Sequence, residues 1–227
     1  MDQLARLYHQ IDVRGQRAIQ RRNEQVDPYL TGRYPDNRRG LTLLIHLPAH
    51  ISRNINFGLL RFKMLEPEMY FYPSTDMHIT VMDLIGARTG LTWSAEQLRL
   101  YCTVIRRLAC RTAPINWKLA GLIASPGALL VKGTYSANLT TLRQQLRQAL
   151  PAAGLPLQER YQTIAGHVTV ARFSQPLRHR QKFLQLLKAN SNLFFGTFTV
   201  DQLDLVIHDW YNHYARVIDS FQLAGEH

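Results

Sequence analysis

The sequence predicts an α+β fold with antiparallel sheets, built as two similar halves. Three observations carry this. Strand-like and helix-like stretches mix without regular β-α alternation, which argues against a parallel doubly wound sheet. Two short strings are near copies, His78-Ile79-Thr80-Val81 and His167-Val168-Thr169-Val170. The two histidines lie 89 residues apart, and each string follows a strand–helix unit, as in a duplicated half-domain rather than a short tandem repeat.

Residues 1–26 read as a helix. Leu4, Leu7, Tyr8 and Ile11 make a stripe at helical spacing on a basic segment that Asp27-Pro28 ends. The stretch 31–40 is polar and turn-rich, with Gly32, Pro35 and Asn37. Residues 41–47 read as a strand stopped by Pro48. Ile51, Ile55, Leu59, Phe62 and Leu65 space one helix over 49–65. A short strand over 69–72 and turn chemistry at Pro73-Ser74-Thr75-Asp76 lead into the first His-Thr strand, which runs to about Ile85. Ser94 and Gln97 form a capping box for a helix reaching Arg111.

The second half repeats this order. Strands over 115–123 and 128–135 meet at Ser125-Pro126-Gly127. Asn138 is the expected cap of a helix carrying Leu139, Leu142, Leu146 and Leu150, closed by Pro151 and Gly154. The second His-Thr strand follows over 164–173, then a helix over 177–189 and two antiparallel strands, 198–207 and 214–223. The expected division is an N-terminal helical extension, 1–40, and a two-lobed domain, 41–227.

Length and charge narrow the function classes. The 227 residues suit one large domain or two small lobes. A net charge of +11 and a pI near 10.0 favour polyanionic partners such as nucleic acid or nucleotides. Arg6, Arg14, Arg17, Arg21 and Arg22 on the first helix either meet RNA phosphates or form the solvated face of a helix packed by its leucines. Cys102 and Cys110 sit about 12 Å apart on a helix, too far for a disulfide, and read as buried free thiols. The N-terminus has no apolar signal core, and no run approaches the ~20 apolar residues of a membrane span. The expectation is a soluble, cytoplasmic monomer with no membrane partner.

The paired strings carry the chemistry. Successive side chains of a strand alternate faces, so His78 shares a face with Thr80, and His167 with Thr169. Nine His and fifteen Thr give roughly 0.6 His-x-Thr strings by chance. Apolar residues at both alternate positions cut this to roughly 0.1, and two such strings on strands arise on the order of once in a hundred chains.

With these residues the sequence resembles the two-histidine phosphoesterase superfamily, whose signature is a pair of His-x-Thr-x motifs with apolar x. It includes the bacterial RNA 2′,3′-cyclic phosphodiesterases, also called 2′-5′ RNA ligases. The likeness extends to the strand at 41–47, the Pro-containing turn before the first motif and the closing hairpin, and spans about 41 to 224. It implies a bilobal α+β fold with pseudo-twofold symmetry, with His78, Thr80, His167 and Thr169 lining a central cleft. The implied substrate is an RNA end or a small nucleotide, and no cofactor or metal is implied.

The physical chemistry agrees. Opening a phosphodiester needs a base for water and an acid for the leaving oxygen, and histidine, with an ordinary pKa near 6.5, serves either role. The two threonine hydroxyls suit the non-bridging oxygens. Symmetry leaves open which histidine is the base. Arg172, five residues after His167, is a candidate phosphate contact or a solvated strand end; Asp83 stands in its place in the first half. Tyr161 is a candidate base-stacking residue, with Tyr135, Phe71 and Phe173 ambiguous. His208, Asp209 and His213 match no metal-site spacing and read as a solvated loop. Two other functions remain open: hydrolysis of a signalling oligonucleotide or nucleotide-sugar cyclic phosphate, and a non-catalytic RNA- or nucleotide-binding module.

Overall fold

In a computed structural model, which describes residues 2–31, 34–159 and 161–225, nine strands form one curled sheet in the order β7-β4-β5-β6-β3-β1-β8-β9. Gly32 lies outside the described residues. The strands are β1 (Arg39–His46), β2 (Tyr70–Phe71), β3 (His78–Arg88), β4 (Ile115–Ala124), β5 (Ala128–Tyr135), β6 (Val168–Arg172), β7 (Phe194–Val200), β8 (Gln202–His208) and β9 (Ala215–Gln222). Every ladder between named strands is antiparallel, and β2 pairs with β6 off the main path. The helices are α1 (Gln3–Gln20), α2 (Ala49–Gly58), α3 (Leu60–Leu65), α4 (Ala95–Ala109), α5 (Ala137–Ala152) and α6 (Arg180–Ala189). This is an α+β half-barrel, the architecture that the resemblance implies, with β3 and β6 at its centre.

The two lobes meet between β3 and β6, where Ile79 pairs with Val168. Alternate residues of the motif strands, Ile79, Val81, Val168 and Val170, are fully buried in the main core. α4 packs on α5 and on β9, while α5 also meets β3. Ser94 caps α4 with both halves of the capping box formed.

Several boundaries depart from the sequence reading. α1 stops at Gln20 rather than near 26, because Arg22 turns the chain with φ 55°. Residues 23–27 then run along the second lobe, with Gln25 N–H donating to Pro126 O and Asp27 N–H to Phe173 O. The helix expected over 49–65 is two, broken at Gly58 and Leu59. Ser136, not Asn138, stands at the N-cap position of α5, without a side-chain cap bond, and the Asn138 amide donates to the carbonyls of Ala113 and Pro114. The second motif strand is shorter than expected, with His167 just before its start. The strand expected over 198–207 is divided at Asp201. Its first part, β7, pairs with β4 at one edge, and β8 pairs with β1 towards the other. Neither cysteine is buried: Cys102 is half-buried and Cys110 exposed, both as free thiols.

α1 is built into the sheet. Tyr8, Leu4, Leu7 and Ile11 pack with Ile123, Ala128, Leu130 and Ala165. Leu130 is the cross-strand partner of Thr169, and paired residues share a face. The helix therefore lies on the motif-bearing face of the second lobe. Its five arginines, Arg6, Arg14, Arg17, Arg21 and Arg22, are exposed.

Candidate active site

The Ile79–Val168 pair fixes the site. With those two side chains in the core, strand alternation turns the neighbouring ones to the opposite face. There His78, Thr80, His167 and Thr169 are all half-buried. Counting one residue either way along the antiparallel register sets His78 opposite Thr169 and Thr80 opposite His167. The two histidines are then diagonal neighbours. The Thr80 and Thr169 hydroxyls make no hydrogen bond among the described residues, which leaves them free to donate to a ligand.

The two rings are held differently. His78 Nδ1 lies 2.8 Å from the Asp76 carbonyl, so this nitrogen carries the proton and donates it, and Nε2 is bare. His167 Nδ1 is buried without a hydrogen-bond partner among the described residues. Burial pulls both pKa values down to about 4. For His78 the His208 ring adds to the shift, and the bond to the Asp76 carbonyl opposes it. For His167 the further causes are His78, Arg172 and Arg143. His208 thus disfavours a proton on His78, and His78 disfavours one on His167.

The turn that aims His78 is braced from the β8–β9 loop. Buried Asp76 places Oδ2 3.1 Å from His213 Nδ1, and its Oδ1 accepts from the Thr75 hydroxyl at 2.8 Å. The Asn212 amide donates to the same Asp76 carbonyl that holds His78. Asp209 uses its carboxylate inside the loop, accepting from the N–H groups of Tyr211, His213 and Tyr214. His208, read from sequence as part of a solvated loop, is buried at the end of β8 with its ring 5.9 Å from that of His78. His208, Asp209 and His213 therefore have three separate tasks. Among the described residues no group of three or more His, Cys, Asp or Glu is placed to hold a metal ion.

Arg172 reaches the same region. Its Nε donates to the Tyr72 hydroxyl at 2.8 Å, and its guanidinium lies 5.5 Å from the centre of the Trp210 ring. Its charge is felt at both histidines. Asp83, at the matching position of the first half, faces Thr42 across β1–β3 and accepts from its hydroxyl at 3.4 Å. Tyr161 is 64% exposed, with no described contact to the four motif side chains. Phe173 is committed to the core, and Tyr135 lies tilted against the Trp117 ring and donates to the Ile164 carbonyl.

Two residues outside the motifs brace the motif segments, and the sequence reading did not single out their role. Arg143 of α5 is 2% exposed and has no carboxylate partner among the described residues. Its guanidinium donates to the carbonyls of Thr80 and Val81 on β3, to those of Ile164 and Ala165 before β6, and to the Tyr135 hydroxyl. A signal existed: Arg143 falls four residues after Leu139 and three before Leu146, on the apolar stripe of its helix. Tyr8 is the second. Its hydroxyl donates to Gly133 O and accepts from the N–H of Gly166, the residue before His167.

The 2′-5′ RNA ligase superfamily model matches residues 60–212, a span that holds both motif strings and more than half of the chain. The chain belongs to this superfamily. Solved structures with the superfamily's fold agree over nearly their whole length. TT0787 of Thermus thermophilus is 20% identical with a TM-score of 0.57, over 84% of this chain and all of that one. LigT of E. coli, solved with 3′-AMP, is 18% identical with a TM-score of 0.55, over 82% of this chain and 98% of LigT. A conserved protein of unknown function, ATU0111 of Agrobacterium tumefaciens str. C58, is 15% identical with a TM-score of 0.59, over 88% and 96%. No curated protein matches the sequence. In this superfamily member no described helix is long and apolar enough to cross a membrane.

Proposed function

We propose that this protein hydrolyses a 2′,3′-cyclic or 2′-5′ phosphodiester of RNA or a small nucleotide, without a metal, using His78 and His167 as acid and base. The observation that supports this most is the antiparallel seam at Ile79 and Val168, which gathers two histidines and two free hydroxyls on one face.

A phosphodiester is an anion, and it brings negative charge to two rings that burial holds neutral. Its arrival offsets burial and the repulsion between the rings, so one histidine takes up a proton as the substrate binds. His78 is the better place for that proton, because the Asp76 carbonyl stabilises the charged ring while His167 Nδ1 has no such partner. His167 then removes a proton from water as the water attacks phosphorus. His78 gives its proton to the sugar oxygen as the P–O bond breaks. Thr80 and Thr169 donate to the non-bridging oxygens where negative charge gathers. Arg172 stands close enough to hold the phosphate or its flanking nucleotide, with Tyr161 as an outlying contact for a base.

The test is turnover of a 2′,3′-cyclic nucleotide and of a 2′-5′ dinucleotide in EDTA. Wild type should turn over at least one of them, with a bell-shaped pH–rate profile, and His78→Ala and His167→Ala should each lose roughly 10²–10⁴-fold. Equal rates in wild type and variants would sink the proposal.

A further inference from the structure

The β8 strand brings a third histidine to the cleft. His208 is 9% exposed, and its ring lies 5.9 Å from that of His78 at a tilt of 59°. Its Nδ1 is 2.5 Å from the Asp209 carbonyl, so the ring proton sits on Nδ1 and is spent there. That leaves Nε2 as a bare acceptor, buried and without a partner among the described residues.

The chemistry of what would satisfy it is narrow. A phosphoryl oxygen is itself an acceptor, and two acceptors repel. Protonating His208 instead would add a cation beside His78, which already feels the Arg172 charge and pairs with His46 on the adjoining strand. A neutral acceptor calls for a neutral donor. One hydroxyl donating to Nε2 at about 2.8 Å would satisfy it.

We propose that His208 is a further substrate-contacting residue, whose Nε2 accepts a hydrogen bond from the free sugar hydroxyl next to the phosphate that His78 and His167 engage. This rests on reading the cleft as a phosphodiesterase site, and it deepens that reading by naming the sugar. A 2′-5′ diester carries such a hydroxyl, and so does the monophosphate released when a 2′,3′-cyclic ring opens. A deoxyribose lacks it. The site therefore selects ribonucleotides through an acceptor that neither motif contains.

Calorimetric binding separates the two proposals. 2′-AMP and 3′-AMP are each compared with the analogue lacking the neighbouring hydroxyl, for wild type, His208→Asn and His208→Gln. Asparagine keeps the bond to Asp209 but removes the acceptor; glutamine restores an oxygen at the reach of Nε2. Wild type should prefer the hydroxyl-bearing form of the tighter isomer by about tenfold, as befits one hydrogen bond in a dry site. His208→Asn should bind the deoxy analogue like wild type yet lose the preference, and His208→Gln should keep most of it. A wild type without preference, or a preference that survives in His208→Asn, overturns the assignment of His208. If no nucleotide binds wild type at all, the phosphodiesterase reading fails first.

Discussion

His78 and His167 have ordinary surroundings in sequence and unusual ones in space. Each sits where burial and cations hold the neutral ring, with the pKa near 4 in place of about 6.5. In the unfolded chain both rings take up protons below about pH 6.5, whereas the folded protein resists until near pH 4. Stability is therefore present in full above pH 6.5 and falls as pH drops from there toward 4, by on the order of 1–2 kcal/mol per ring at pH 5. Urea midpoints taken between pH 7.5 and 5 should drop in wild type, and the slope should flatten in a His78→Asn/His167→Asn double variant. The carboxylates held low by arginines, Glu24, Asp36 and Glu159, lose their contribution as pH falls through their usual range and on below it, mostly under this window, where the buried histidines, His208 among them, dominate. The motif residues were legible because alternation is a local rule. The tautomers were not, because they depend on Asp76, on loop 209–214 and on the buried surroundings of His167 Nδ1.

Among the elements, α1 shows how a helix can be read correctly and misplaced. Its leucine stripe and basic outer face were visible at helical spacing. Its position on the motif-bearing face of the second lobe was not, since its contacts lie more than a hundred residues away. Gly15 is the closest approach: a Cβ there would overlap the Ala124 carbonyl oxygen. Asp12, three residues earlier, accepts from the Ala124 N–H at 3.1 Å. Alanine favours helices over glycine by about 1 kcal/mol, yet Gly15→Ala should destabilise by about 2 kcal/mol or more, because helix and strand must part. Faster tryptic cleavage after Arg21 and Arg22 would report the loosened helix; unchanged cleavage and stability would contradict the packing. β7 and β8 failed in the opposite way. An apolar run crossing Asp201 looks continuous, and only the choice of partners, β4 for one and β1 for the other, divides it.

At the scale of the molecule, the fold class and the duplication were legible, because they rest on element order and on the paired strings. The means of joining the halves was hidden in one side chain. Arg143 ties β3 to the segment before β6 by four backbone carbonyls. Arg143→Met should cost more than about 3 kcal/mol in urea unfolding, and Arg143→Lys should recover little of it, since an ammonium cannot reproduce the fork. Retention of full stability in either variant would show that the lobes hold together by apolar packing alone.

That guanidinium has a geometric consequence as well. Two neighbouring antiparallel strands ordinarily close like a zipper, rung after rung, and leave no room between them. Here β3 and β6 mesh at Ile79 and Val168, and a planar cation sits wedged behind the place where they part. The rungs end there, and carbonyls of both segments, instead of closing strand on strand, turn to one side chain from the helix beneath.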